Sequence, residues 1–144
     1  MDNNFRIYAL GDDFDVDAFV ASSSLTPSFV WRVGEPKGKN KRSSPYPTSG
    51  IVFELGAGAD VPFLEQDEIA IEFIKQHRDG LKALSEFPNV THFTLGLQYT
   101  RLVQGNVIGF TMGVSPWLMW HLLDIGCRLT HYVHLERDDS DQSA

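Results

Sequence analysis

The densest run of potential ligands is Gly11-Asp12-Asp13-Phe14-Asp15-Val16-Asp17. Asp13, Asp15 and Asp17 alternate as the first oxygen ligands of a calcium loop do. The rest of such a loop is missing. Its sixth position is Ala18, where the sharp turn needs glycine, and its twelfth is Ser24, where the ion needs a bidentate glutamate. These aspartates read instead as turn and cap residues, because a short acceptor side chain can satisfy nearby backbone N–H groups.

Histidine and cysteine chemistry fares no better. The histidines are His77, His92, His121, His131 and His134. His131 and His134 lie three apart on a predicted strand and point to opposite faces. A zinc site needs three or four converging ligands, and spacing supplies no such set. The single cysteine, Cys127, follows Gly126 at a predicted helix exit. A nucleophile there would need an adjacent base and an exposed thiolate. The plainer reading is a small buried residue. No metal ligand, cofactor site or catalytic residue is assigned.

Two groups of residues could serve recognition. Trp117 and Trp120 share a helical face with His121 and Asp124, and Trp31 lies on a predicted strand. Core packing is the first reading of the tryptophans. The alternative is a set of aromatic anchors for a partner. Lys37, Lys39, Lys41 and Arg42 place four positive charges in six residues of a long loop. Such a run is usually a solvated loop, and the functional alternative is contact with an anion or an acidic partner. The loop lacks the glycine spacing of a phosphate-binding loop. The candidate surface is therefore Trp31, Lys37, Lys39, Lys41, Arg42, Trp117, Trp120 and His121.

The elements that must position these residues follow from periodicity. Residues 5–10 alternate as a strand, with Phe5, Ile7 and Ala9 on one face and Arg6, Tyr8 and Leu10 on the other. Apolar residues on both faces suggest a central strand. Asp15 caps a helix to about residue 22, with Val16, Phe19 and Val20 at core spacing. Strands are predicted at 29–33 and 51–55, separated by the irregular stretch 34–49. A single helix is predicted over 64–87, with Leu64, Ile69, Phe73, Ile74, Leu81 and Leu84 as its apolar stripe. Residues 91–99 alternate strictly, and 104–106 turn the chain into a return strand at 108–112. Ser115 and Pro116 then open a short, mostly buried helix. Gly126 ends it, and a last strand runs from 127 to 135.

This order predicts an α+β fold: a ferredoxin-like βαββαβ core extended by a further βαβ unit. The sheet is expected to be mostly antiparallel, with helices mainly on one face. Residues 1–136 form one domain on length, and 137–144 a polar disordered tail. The chain has 144 residues, a net charge of −7 and one cysteine. The charge disfavours broad nucleic-acid binding and permits a basic partner. One cysteine excludes an intrachain disulfide and fits a reducing compartment. With no leader pattern and no apolar run of spanning length, the expected place is the cytoplasm.

Taken in order, several short motifs resemble the bacterial domain of unknown function 4279 family. They are the first strand leading into the aspartate-rich turn, then Leu25-Thr26-Pro27 and Trp31-Arg32-Val33-Gly34-Glu35. Ser49-Gly50-Ile51-Val52-Phe53-Glu54-Leu55 follows, and the close comes in Val114-Ser115-Pro116-Trp117-Leu118 through Leu123-Asp124-Ile125-Gly126-Cys127. The resemblance covers about residues 4–136. Val16 and Ala18 stand where members tend to have proline and glutamate, and Phe53 where a tryptophan is usual. The resemblance implies no activity, cofactor or catalytic residue. Members look similar to small proteins found near bacterial toxin and defence genes, which suggests an immunity-type role.

The reading from sequence is a noncatalytic binding protein of immunity or inhibitor type, acting on a toxin-like or other protein partner. No nucleic acid or membrane partner is expected, and the chain is a monomer or homodimer. The alternative is a small-molecule-binding or regulatory α+β domain, with a pocket near Trp31, His92 and Arg128. An enzyme is the third reading, since no nucleophile–base–orienter pattern is present.

Overall fold

A computed structural model describes residues 5–38, 44–56, 61–103 and 114–137 of the chain. Strand β1, Arg6–Gly11, takes its alternation directly from sequence. Phe5, Ile7 and Ala9 are sealed, while Arg6, Tyr8 and Leu10 are half-buried on the other face. Helix α1, Val16–Ser22, follows, with Asp15 as its cap. The Asp15 Oδ1 accepts from Ala18 N at 3.0 Å, satisfying a first-turn donor. Val16 and Phe19 are buried, but Val20 lies on the outer side of this short helix and is exposed.

Strand β2 is Phe29–Trp31 and β3 is Ser49–Glu54. The predicted single helix over 64–87 is two helices, α2, Phe63–Gln76, and α3, Arg78–Ser85. The axis breaks at His77, whose backbone (φ −118°, ψ 20°) leaves the helical region. The break lets α3 close on the connector before β2. A Cβ at Gly80 would lie 2.8 Å from Leu25 Cγ, so glycine permits that approach. Gln66, Ala70 and Ile74 form the buried line of α2, which leaves Leu64 outside the stripe assigned to it.

Strand β4 is His92–Val103, helix α4 is Pro116–Ile125 and β5 is Arg128–Arg137. The return strand expected at 108–112 lies outside the described residues. Both ends of α4 match their sequence signals. The Ser115 hydroxyl accepts from Trp117 N at 3.1 Å, and Gly126 adopts the left-handed conformation (φ 72°) that stops a helix.

Among the described residues the sheet has five strands in the order β2-β3-β1-β4-β5. β1 lies at its centre, as its two apolar faces suggested. Neighbours are antiparallel except β4 and β5, which run parallel. Three of the four neighbouring pairs are antiparallel, as a mostly antiparallel sheet requires, and the β4–β5 pair makes the sheet mixed. Parallel neighbours need a crossover connection, and α4 lies between β4 and β5 in the chain.

The core lies between one sheet face and the helices. Ile7, Ala9, Ile51, Phe53, Leu95 and Leu97 of the sheet join Phe19, Ala70, Ile74, Leu81, Leu84, Leu118 and Ile125 of the helices. Gln66 is the one buried amide among them, and its hydrogen bonds are made. Its Nε2 donates to the Val61 and Gln98 carbonyls at 2.8 Å, and its Oε1 accepts from Gln98 N at 3.0 Å. It serves the backbone of β4 as a neighbouring strand would.

Candidate functional site

Among the described residues two surfaces stand out once the core is closed. The first is the outer side of α4. Leu118, Leu122 and Ile125 are buried, so the helix turns Trp117, Met119, Trp120 and Leu123 outward. Trp117 is 73% exposed, Trp120 59% and Leu123 80%. Spacing of three places these three along one ridge. The helix was expected to be mostly buried, and it is not; of the two readings given for its tryptophans, core or partner surface, their exposure fits the surface one.

Its rotation is fixed by polar contacts. Arg78, at the start of α3, holds Asp124 with a two-pronged bond, Nε to Oδ2 at 2.6 Å and Nη2 to Oδ1 at 3.1 Å. The guanidinium holds the Asp124 carboxyl below the usual carboxylate range. Ser115 N also donates to Asp67 Oδ1 of α2 at 3.4 Å. Leu64 sits one turn before Asp67 and is 78% exposed, and Glu65 and Glu68 beside it are exposed too. An apolar ridge with an acidic shoulder results. His121 is half-buried, its ring 5.0 Å from that of Trp120 and nearly perpendicular to it.

The second surface is the sheet face away from the helices. Trp31 lies against Gly50 of β3, where a Cβ would come within 2.1 Å of the indole. Glycine is what allows the ring to lie on the strand. Phe29 stacks beside Trp31 at 6.3 Å, and Tyr46 tilts against its other side at 6.0 Å. Tyr8 of β1 and Tyr132 of β5 meet across β4, their hydroxyl oxygens 3.1 Å apart. Burial, reinforced by that bond, pushes the Tyr8 phenol up to about 12. Together these residues border a hollow of about 360 Å³. A second hollow of about 260 Å³ adjoins it, sharing Tyr8 and Leu10 and reaching His92, Thr94, Arg128 and Thr130.

The residues singled out from sequence therefore separate. Trp117, Trp120 and His121 lie on the α4 surface, and Trp31 walls the sheet-face hollow. Lys37 is exposed, with Nζ 5.8 Å from the centre of the Tyr46 ring. Lys39, Lys41 and Arg42 lie outside the described residues. His92 and Arg128 line one hollow and Trp31 the other, and the two hollows meet at Tyr8 and Leu10.

The aspartate run carries turn and ion-pair roles. Asp15 caps α1, and Asp17 accepts from Arg32 Nη2 at 2.6 Å and Nε at 3.0 Å, which lowers its pKa. Among the described residues no three His, Cys, Asp or Glu side chains converge to hold a metal ion. Cys127 is buried and its thiol donates to the Arg128 carbonyl at 3.4 Å. Burial pushes that thiol up to about 12, so little thiolate forms near neutrality. His131 packs near Phe63, and His92 bonds the Thr91 hydroxyl.

No family model matches the chain, and no curated protein or solved structure matches it. No helix among the described residues is long and apolar enough to cross a membrane.

Leu64, Leu123, Tyr8, Phe29, Tyr46 and Tyr132 were not singled out from sequence. Tyr8 had a usable signal, since alternation put it opposite Ile7. For Tyr46 and Tyr132 the signal is tertiary.

Proposed function

We propose that the chain is a noncatalytic binding protein that docks a protein partner on the outer side of α4. The observation that carries this reading is the ridge of Trp117, Trp120 and Leu123 on a helix fixed at both ends. Monomeric proteins seldom leave contiguous large apolar side chains in water. Tryptophan is the residue type most enriched among energetic anchors of interfaces. Glu65 and Glu68 add an acidic shoulder, and the net charge of −7 draws basic partners. The partner in this reading offers an apolar groove with a basic rim. An immunity-type inhibitor covering the basic site of a toxin has that form.

The finer architecture proposed is the ferredoxin-like core extended by a βαβ unit. It is supported by the order β2-β3-β1-β4, antiparallel throughout, with the parallel β5 added after α4. The one free, buried thiol supports a cytoplasmic setting.

The test is capture with the intact chain at low and at high salt, repeated with Trp120→Ala and Leu123→Ser. One stoichiometric protein should be retained at low salt, fall away at high salt, and be lost from both variants. Retention by both variants, or a bare bait at low salt, sinks the reading. Sedimentation at several concentrations checks whether the ridge instead joins two copies.

A second reading, a small-molecule-binding or regulatory domain, is favoured by the paired hollows over the open sheet face.

A further inference from the structure

The open sheet face changes in chemistry from one end to the other. Phe29, Trp31 and Tyr46 make an aromatic end. The middle is lined by hydroxyls, with the Tyr8–Tyr132 pair at 3.1 Å and the Thr94–Thr130 pair at 2.9 Å, and by Arg6 of β1. Arg128 and His92 stand at the far end. The chain carries 19 acidic and 12 basic residues, yet among the described residues neither hollow has an aspartate or glutamate in its lining. Glu54 shares the face, aligned with Arg6, but lies outside both linings. Among the described residues Arg128 takes part in no ion pair with a carboxylate. The cationic lining of an acidic protein points to an anion.

Size narrows the choice. Trp31 rests on β3, and Arg128 lies on β5, with β1 and β4 between. Three strand spacings are about 14 Å. Part of that span is covered by the arginine side chain itself. A ligand bridging both ends must hold a flat ring and a negative group about 10 Å apart, roughly two strand spacings. A benzoate is too short. Together the hollows fall within the range of small-molecule sites, about 300–1,000 Å³.

Resting on the second reading above, we propose that this face binds a nucleoside phosphate. The base stacks on the Trp31 wall, the sugar hydroxyls meet Tyr8, Tyr132 and Thr130, and the phosphate reaches Arg128. Each contact matches a chemical type already in place. Indole and phenyl rings offer flat apolar surface, phenols and threonines donate and accept, and guanidinium pairs with phosphate through two parallel bonds.

The test titrates the intact, labelled protein with adenosine monophosphate, adenosine, inorganic phosphate and a short oligoadenylate. The readout is the indole N–H resonance of Trp31, assigned by its loss in Trp31→Phe. Adenosine monophosphate should give a saturable shift below about 1 mM. Adenosine should bind at least about ten-fold more weakly. Arg128→Gln should remove that advantage while leaving adenosine's affinity unchanged. Phosphate alone should leave the resonance in place. Equal binding of adenosine and its phosphate, or no effect of Arg128→Gln, overturns the phosphate assignment and keeps the small-molecule reading. No saturation by any probe overturns both. An oligoadenylate bound more than ten-fold tighter than the mononucleotide overturns the proposal in favour of a single-stranded nucleic acid.

Discussion

The two faces of one sheet carry large apolar side chains to opposite ends. On the helix side, Ile7, Ala9, Ile51 and Leu95 are fully sealed. On the open side, Trp31 and Tyr8 are half-buried and Phe29 is exposed. These four positions carry no polar side-chain atom, because a donor there would need a partner or cost free energy. The open face uses amphipathic rings, whose hydroxyl or N–H meets water or a neighbour while the ring lies on the strand. Trp31 shows this directly, donating through Nε1 toward Thr48 Oγ1 at 3.5 Å. Residue choice on the two sides of β1 therefore separates a sealed packing face from a face open to water.

The largest effect should come from the sealed side. Leu95→Ala removes a fully buried side chain from the part of β4 that pairs with both β1 and β5. It should cost about 2–5 kcal/mol of stability, measured by urea unfolding, because cavity and transfer terms add. A loss under about 1 kcal/mol would mean this face is not the core.

Next comes Gly50→Ala. Its added methyl would strike the Trp31 indole, which must swing off β3. The stability cost should be near 1 kcal/mol, the lower end for overpacking, because a half-buried ring can move. The indole N–H resonance should shift strongly, and ligand binding on the open face should fall with it. An unshifted resonance would show that the ring does not rest on that glycine.

Alkaline pH sharpens the contrast further. Tyr8 has its phenol pushed to about 12 in the fold, against about 10 when unfolded. The neutral form is the one the fold favours. Its contribution is fully present below about pH 10 and is lost as pH rises from there toward 12. Cys127, raised by burial to about 12, acts with the same sign from about pH 8.5 upward. Chemical unfolding across this range should show falling stability, and Tyr8→Phe should flatten part of the fall. A parallel curve for Tyr8→Phe would place the alkaline loss elsewhere, with Cys127→Ser as the next variant to compare.

How much of this was legible in the sequence depends on what each feature needs. Local features were. Ser115, Pro116 and Gly126 bounded α4, Asp15 marked α1, and alternation divided β1 into its two faces. Features set by packing were not. The kink at His77 needs Leu25 pressed against Gly80, two residues 55 positions apart in the chain. The rotation of α4 is a sharper case. Both the stripe Leu118, Leu122, Ile125 and the stripe Trp117, Trp120, Leu123 are apolar, so periodicity alone does not choose the inward one. The choice shows only when Arg78 reaches Asp124. Which sheet face stays open depends likewise on where the helices land.

The smallest effect on stability should come from that outer stripe. Trp120→Ala removes a large ring that is 59% exposed. The change should fall within about 0.5 kcal/mol, as at other surface positions, apart from the ring contact to His121. Met119 and Leu123 are also exposed beside it, so no cavity forms. The same substitution should cost at least about 2 kcal/mol in partner affinity if the ring is an anchor. Stability and binding thus move apart at Trp120, whereas at Leu95 they fall together because the fold itself is lost. A Trp120→Ala protein that is strongly destabilised would make the ridge part of the core after all, and would erase the difference between the two sides of α4.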